Sequence, residues 1–179
     1  VDFVEYLETV SKAIHDIGGA TCSSKIRNAF VQMEDLWKNK NLTEIKRIFR
    51  LCQPLNDTNT LDVWNLFGDM GSAWSGIVQY ASRYGQEIEN GCSNLLAIQA
   101  NSDIEAYAEW VFSRWRLEGC YEHRWEAFLY WYGGIEWDSY AAETSMRQWL
   151  YQTCAEYGWY QSSGSEDILF GSMFPVELS

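Results

Sequence analysis

The sequence predicts an all-α protein, organised as one helical-bundle domain over residues 1–179. Apolar residues recur at the three- and four-residue spacing of a helix face in several stretches. Residues that typically cap helices precede several of these stretches. Strand signals are weak, because no two-residue hairpin turn flanks an alternating stretch. No repeat period and no internal linker is visible, so a single domain follows.

Four helices are predicted in the first half of the chain. The first carries Val4, Leu7, Val10, Ile14 and Ile17, the second Ile26, Phe30, Met33 and Trp37, the third Ile45, Ile48 and Phe49, and the fourth Val63, Leu66 and Phe67. We expect Gly18-Gly19 to end the first helix, and Ser23 or Ser24 to cap the second. Asn41 and Glu44 form a capping-box pattern before the third helix. Asn59-Thr60 precedes the fourth, in which glycines 68, 71 and 76 are expected to interrupt the helix.

The second half of the chain has fewer clear signals. Ser102 and Glu105 form a second capping-box pattern, which predicts a helix with several aromatic residues. The aromatic stretch 125–137 is the one candidate for a short strand. Residues 143–157 are expected to form a last helix, and the serine- and glycine-rich stretch 162–165 an exposed loop.

Composition excludes several classes of function. Hydrophobic residues make up 47% of the chain, which is typical of a folded domain with a core. Thirteen basic against 25 acidic residues give a formal net charge of −12, which disfavours binding to nucleic acids and to anionic membranes. No apolar run approaches the roughly 20 residues of a membrane-spanning helix. We therefore expect neither a nucleic-acid nor a membrane partner.

The five cysteines, Cys22, Cys52, Cys92, Cys120 and Cys154, indicate the compartment. No two lie in a C-x-x-C motif and the chain has only two histidines, so neither a metal site nor a cofactor is expected. The cysteines indicate either a disulfide framework in an oxidising compartment or five free thiols in the cytosol. The glycosylation sequons at Asn41 and Asn56 favour a secreted or lysosomal protein. An odd number of cysteines indicates a free thiol or a partner elsewhere.

Motifs for catalysis are almost absent. The chain lacks a G-x-S-x-G elbow, a P-loop, an H-E-x-x-H motif and a G-x-G-x-x-G motif. We expect His15 to be a structural histidine at or near the surface, and His123 to lie on a charged surface. Glu136 and Asp138 beside an aromatic run resemble the acid pair of a carboxylate glycosidase. A packed aromatic core with a solvated acidic rim is the preferred interpretation, because acidic residues are frequent in this chain.

One segment is more specific. Residues 149–161 (WLYQTCAEYGWYQ) resemble the W-x-Y-Q-x-C-T-E block of the prolylcarboxypeptidase-like serine peptidases, a family that includes dipeptidyl peptidase II and thymus-specific serine protease. The segments 22–26, 51–55 and 65–80 match further blocks of that family in the same order. The resemblance covers essentially the whole chain.

The resemblance implies an architecture. In that family a helical insert, called the SKS domain, interrupts an α/β-hydrolase domain and caps its cleft. The chain would be this insert alone, because it begins at Val1 with no signal peptide and ends without a cap, as if cut from a longer protein. No catalytic residue would then lie in the chain, and the hydrolase part of the same parent chain would be its partner. The resemblance also implies that Cys22 pairs with Cys92, Cys52 with Cys120, and Cys154 with a cysteine after Ser179.

The function implied is substrate selection in a serine exopeptidase that cleaves peptides near a terminus, often beside proline. The candidate substrate-pocket residues are Trp149, Tyr151, Gln152, Glu156 and Trp159. Aromatic walls suit a flat proline ring, Gln152 can hydrogen-bond a peptide backbone, and Glu156 can hold a substrate amine. The alternatives are a self-contained, aromatic-rich helical module that binds an apolar ligand, and a carboxylate glycosidase.

Overall fold

The computed structural model describes residues 3–158 and 160–175 and confirms the all-α class. The helices are α1 (Glu5–Lys38), α2 (Leu42–Ile48), α3 (Thr60–Gln79), α4 (Gln86–Ala97), α5 (Asp103–Trp115), α6 (Trp125–Tyr132), α7 (Tyr140–Glu143) and α8 (Met146–Gln152). A π-helical turn, Thr153–Tyr157, continues α8. Within these ranges the β-type pairing is limited to isolated contacts such as the bridge between Leu51 and Tyr121. No helix in the described residues is long and apolar enough to cross a membrane.

The expected break at Gly18-Gly19 is confirmed, because the chain leaves the helical conformation at Gly19 and α1 consists of two helical segments that meet there at a kink. Gly19 has φ 85° and ψ 166°, a conformation that bends α1 and favours glycine. Gly18 has a different role, since a Cβ atom there would lie 2.2 Å from Cys92 Sγ. The two glycines therefore bend α1 and let α4 approach it closely. Ser23 is buried inside this helix and donates to backbone carbonyls of the preceding turn, so it is no N-cap.

The core lies where α3, α4 and α5 pack against the kinked α1. The Trp74 and Trp110 rings stack at 4.6 Å, and Phe30 meets Tyr107 edge to face at 5.4 Å. The Tyr107 hydroxyl donates to the Met70 carbonyl at 2.8 Å, so this buried polar group is satisfied.

Two disulfides join the core elements. Cys22 in α1 is bonded to Cys92 in α4, and Cys52 to Cys120, with Cα–Cα distances of 5.5 and 4.9 Å. These are the two pairs that the resemblance implies. They close loops of 70 and 68 residues, and in the loop-entropy model each such bond contributes at most about 4 kcal/mol. Cys154 is free and exposed.

The two capping-box patterns have different outcomes. The Ser102 hydroxyl accepts from the Glu105 N–H at 3.4 Å, and Glu105 in turn accepts from the Asn101 N–H, which confirms the start of α5. At α2 the Asn41 side chain makes no capping hydrogen bond, and Glu44 instead pairs with Arg47 one turn further on. The pattern at Asn41 and Glu44 thus marks the helix start without forming a capping box.

Four further expectations differ from the structure. Helix α3 continues through glycines 68, 71 and 76, because the core packs against it along its length. The stretch expected to be a strand forms α6, and the expected helix over 143–157 is broken at Ser145, whose φ is 60°. The expected exposed loop at 162–165 instead begins with two buried serines, Ser162 and Ser163.

The last described segment returns to the core rather than trailing from it. Ile168, Leu169 and Phe170 are buried, and the Leu169 N–H donates to Ser11 Oγ at 3.0 Å. Gly171 has φ 69°, and a Cβ there would lie 2.3 Å from Glu34 Oε1. That carboxylate oxygen also accepts from the Ser172 N–H at 2.7 Å, so the turn is built around Glu34.

Candidate functional site

The segment that carries the family resemblance presents one face to a cavity of about 310 Å³. Trp149, Leu150, Thr153 and Cys154 line it from α8 and the π-helical turn. Their spacing of one, three and four residues places them on one side of a helix. The face turned to the cavity is therefore set by helical periodicity.

Aromatic rings from α6 form the opposite wall of this cavity. Trp125 and Phe128 both line it, and their rings stack at 4.6 Å with an interplanar angle of 12°. Asn65, Gly68 and Asp69 of α3, together with Tyr160 and Gln161, complete the lining. The result is an aromatic cavity with one acidic side chain.

A row of polar side chains on α3 holds the start of α6 in place. Asp62 accepts from the Trp125 N–H at 2.8 Å, and the Asn65 amide donates to the His123 carbonyl at 3.0 Å. Asp69 Oδ2 accepts from the Asn65 amide at 3.2 Å and from the Tyr121 hydroxyl. Because these α3 residues are spaced by three and four, they share one helix face and together fix the chain segment that precedes α6.

Burial changes the acidity of two groups in this row. Burial raises the pKa of the Asp69 carboxyl to about 6, and the hydrogen bond from Tyr121 opposes the shift. Burial also raises the pKa of Tyr121, with a further rise from the neighbouring Asp69 charge. Tyr121 therefore stays the donor, and Asp69 changes charge in mildly acidic solution.

A second cavity of about 420 Å³ lies on the other side of Asp69. It shares Asn65, Asp69 and Phe128 with the first cavity. The rest of its lining is mainly aromatic and comprises Trp115, Tyr121, Trp131 and Tyr132, with Glu122, Arg124, Ala127 and Met146. The Arg124 guanidinium is bound to Glu122 at 2.7 and 2.8 Å and makes no ion pair with Asp69.

The predicted pocket residues separate into two groups. Trp149 lines the cavity and is 44% exposed. Tyr151 and Glu156 are exposed and Gln152 is half-buried, and none of the three is among the lining residues. Trp159 lies outside the described residues. The structure therefore brings Trp149 into the cavity and leaves Tyr151 and Glu156 on the outer side of the segment.

Large aromatic side chains are exposed around the same part of the molecule. In α6 and the loop before α7, Tyr130 is 78% and Trp137 95% exposed. Leu129, Trp131, Ile135, Tyr140, Tyr151 and Tyr157 are also exposed. We call these eight residues the aromatic face. Apolar surface of this extent typically marks a site of interaction.

No assembled catalytic triad is found in the described residues. His15 Nδ1 lies 3.1 Å from Ser23 Oγ, but that hydroxyl is buried and directed at the carbonyls of Gly19 and Ala20. His123 is fully buried rather than on a charged surface, because Asn65 draws its backbone against α3. Burial lowers the pKa of His123.

The two acids that suggest a glycosidase do not lie in an enclosed site. Glu136 and Asp138 are both exposed in the loop after α6, beside Trp137, and neither carboxyl is enclosed. Among the described residues, no group of three or more histidine, cysteine or acidic side chains is placed to hold a metal ion.

Four residues of the site were missed at the sequence level, namely Asn65, Asp69, Trp125 and Phe128. Asn65 and Asp69 were hidden inside an otherwise apolar helix pattern. A polar pair at i and i+4 on the buried side of a helix is a usable signal. Trp125 and Phe128 lie in the stretch that is a candidate for a short strand, and in a strand they would not share a face.

Comparison with known proteins agrees with the family resemblance seen in the sequence. The family described as serine carboxypeptidase S28 matches residues 1–179. A Caenorhabditis elegans protein named "Putative serine protease K12H4.7" is 24% identical over 180 residues, covering 92% of this chain and 33% of the relative. The chain thus spans about a third of the length of the curated relative that it matches.

Proposed function

This chain belongs to the serine carboxypeptidase S28 family, and on that premise we propose that it is the substrate-selecting helical insert of a longer serine exopeptidase. The insert, an SKS-type domain over residues 1–179, borders the catalytic cleft of an α/β-hydrolase domain in the same parent chain. It is non-catalytic on its own. The serine, aspartate and histidine of the reaction belong to the hydrolase domain.

One observation carries the proposal. The S28 family match extends over residues 1–179, whose described part is a helical bundle with no assembled triad. A serine peptidase needs a serine whose hydroxyl is hydrogen-bonded to a catalytic base. Ser23, whose hydroxyl is hydrogen-bonded to His15, is buried, so a role beside the catalytic centre fits better than a role in carrying the nucleophile.

We assign docking on the hydrolase domain to the aromatic face. Burial of its rings would stabilise the contact through the hydrophobic effect. Cys154 lies on the rim of the cavity and is free, which supports a disulfide to a cysteine outside this chain. Such a bond would turn the opening of the cavity towards the catalytic cleft.

The proposed substrates are peptides that are cleaved near a terminus, often beside proline. Trp125, Phe128 and Trp149 offer flat, rigid surfaces that suit a proline ring at low entropic cost. Closing the cleft would exclude water and strengthen electrostatic stabilisation of the oxyanion. Tyr151, Gln152, Glu156 and Trp159 are proposed as further contacts around the cleft.

The proposed location is outside the cell or in the lysosome. Two disulfides are typical of proteins that fold in an oxidising compartment. Asn41 and Asn56 are exposed, and Asn56 Oδ1 accepts from the Thr58 hydroxyl at 2.8 Å. We propose that both sequons carry N-linked glycans.

Replacement of Trp149 by alanine in the full-length protein tests the selecting role. We expect kcat/KM for peptide substrates to fall about tenfold through a higher KM, because an aromatic wall is lost. The rate of labelling by a small fluorophosphonate should not change, since the probe needs only the nucleophile. Tyr84→Ala is the matched control, because Tyr84 is 83% exposed and lines neither cavity. Equal loss of peptide hydrolysis and labelling in Trp149→Ala would contradict the proposal.

A second candidate function rests on one observation, that both cavities are lined mainly by aromatic side chains. A self-contained module would bind a small apolar ligand there without a hydrolase domain. Binding of the same peptide ligands by this chain and by the full-length protein, with no fluorophosphonate labelling of either, would favour the module.

A further inference from the structure

Asp69 is an acidic side chain without a cationic partner. Its Oδ2 atom accepts two hydrogen bonds, one from the Asn65 amide and one from the Tyr121 hydroxyl. Its Oδ1 atom has no recorded hydrogen bond among the described residues. None of the ion pairs in the described part of the chain includes Asp69. One oxygen is therefore held by the protein, and the other has no hydrogen-bond partner among the described residues.

The position of Asp69 is energetically unfavourable for a charge. Taking a carboxylate out of water is costly unless it is paired. Because burial disfavours the charged form, it raises the pKa of Asp69. A ligand cation at Oδ1 would compensate for the cost at Asp69.

The surroundings of Asp69 fit an ammonium group on an apolar body. Rings of Trp125, Phe128 and Trp149 line the cavity into which Asp69 faces, and ring faces attract cations. The cavity volume of about 310 Å³ lies at the lower end of small-molecule sites. The Arg124 guanidinium, which lines the second cavity together with Asp69, is engaged by Glu122.

From this geometry we infer that the cavity binds a primary ammonium group of a peptide ligand, with Asp69 as the counter-ion and the aromatic rings around the adjoining apolar part. The inference rests on the proposed function, because it names what the selecting cavity recognises. It moves the amine-binding role from Glu156, which is exposed and does not line the cavity, to Asp69.

The ammonium group has two possible sources in a peptide, the N-terminus and a lysine side chain. The titratable groups around Asp69 are Tyr121 on one side, Tyr132 and the Glu122–Arg124 pair in the second cavity, and Cys154 and Tyr160 in the first. At about pH 7 an N-terminal ammonium group and the Asp69 carboxylate are both mainly charged. Binding of the ammonium group should therefore weaken as the pH falls below about 6.

Fluorescence titration of the full chain tests the inference, since Trp125 and Trp149 line the cavity. The ligands are the dipeptide amide Phe-Ala amide, its N-acetyl derivative, and N-acetyl-lysine amide, all at about pH 7. We expect one of the two amines to bind about tenfold more tightly than N-acetyl-Phe-Ala amide, through a charge-assisted hydrogen bond. The amine that binds identifies the source.

Asp69→Asn should remove this preference, because the amide keeps an acceptor for Tyr121 but carries no charge. Glu136→Gln, which removes an exposed carboxylate, should retain it. Equal binding of amines and acetylated ligands by the unaltered chain would overturn the inference, even if Asp69→Asn fails to fold. Hydrolysis of free and acetylated peptides with equal kcat/KM by the full-length protein, with KM still raised by Trp149→Ala, would reject the amine site and leave the proposed function intact.

Discussion

At the scale of single residues, close approach determines which positions tolerate change. Gly18 is a clear example, because an added Cβ would lie 2.2 Å from Cys92 Sγ in the disulfide that joins α1 to α4. The sequence marks Gly18-Gly19 as a helix stop, since glycine is a common terminator. The long-range contact with Cys92 could not be predicted, because it depends on how α1 and α4 pack.

Gly18→Ala should therefore lower the free energy of unfolding by about 1–3 kcal/mol through overpacking. Gly76→Ala is the matched control inside a helix, where an added Cβ has no neighbour within 4 Å. It should be neutral or stabilise by up to about 1 kcal/mol. Urea unfolding of both variants measures the difference, and equal effects would show that the contact at Gly18 does not constrain the fold.

Asp69 makes stability depend on pH in a defined direction. Its pKa of about 6 in the folded state lies above its ordinary value of 3.8, so the folded protein binds the proton more tightly than the unfolded one. The contribution of this group to stability is therefore greatest below about pH 4 and declines as the pH rises to about 6. The partly buried carboxylate then remains a cost at neutral pH.

Asp69→Asn should raise the free energy of unfolding, relative to the unaltered protein, by about 1–2 kcal/mol more at pH 7 than at pH 4. This figure allows for the partial exposure of Asp69. The free energy of unfolding of variant and unaltered protein, measured at both pH values, gives the comparison. Glu136→Gln, on an exposed loop, should change it by less than about 0.5 kcal/mol at either pH. A larger stabilisation at pH 4 would contradict the assignment.

At the scale of elements, some helices begin at a local capping residue, whereas others depend on contacts with residues that are distant in sequence. Helix α5 begins where the sequence predicts, because the Ser102 hydroxyl satisfies the Glu105 N–H within four residues. The stretch that forms helix α6 is a strand candidate at the level of sequence, because aromatic residues favour both strands and buried helix faces. Its helical form depends on Asp62 and Asn65, which hold its start and lie about 60 residues away in sequence.

Ser102→Ala should lower the free energy of unfolding by about 1 kcal/mol, since one N-terminal N–H of α5 loses its acceptor. Ser113→Ala removes a hydroxyl from an exposed position in the same helix and should stay within about 0.5 kcal/mol. Thermal unfolding of the pair compares the two sites. If both variants behave alike, the Ser102 cap contributes nothing to stability.

At the scale of the whole molecule, the chain has a closed part and an open part. Nearly all buried core residues lie within residues 5–115 and 161–175, whereas α6 and α8 contain no fully buried residue. The all-α class and the cysteine pairs followed from patterns and resemblance, which record local and family constraints. The cavity could not be predicted, because Asp69 and Trp149 meet only through the packing of α3, α6 and α8.

The free thiol in the open part gives a prediction for the complete protein. In the 179-residue chain, thiol titration after denaturation without reductant should detect one cysteine, Cys154. In the full-length protein the same titration should not detect Cys154, and a non-reducing peptide map should find it bonded to a cysteine outside this chain. Five titratable thiols in the chain would reject both disulfides.

We propose that this chain selects substrates for a catalytic serine that lies outside residues 1–179. The most direct test is labelling of the full-length protein with a fluorophosphonate, followed by mapping of the modified serine by peptide sequencing. The account predicts one stoichiometric adduct, on a serine outside residues 1–179, and no adduct on the isolated chain. An adduct on any serine within residues 1–179 would contradict it.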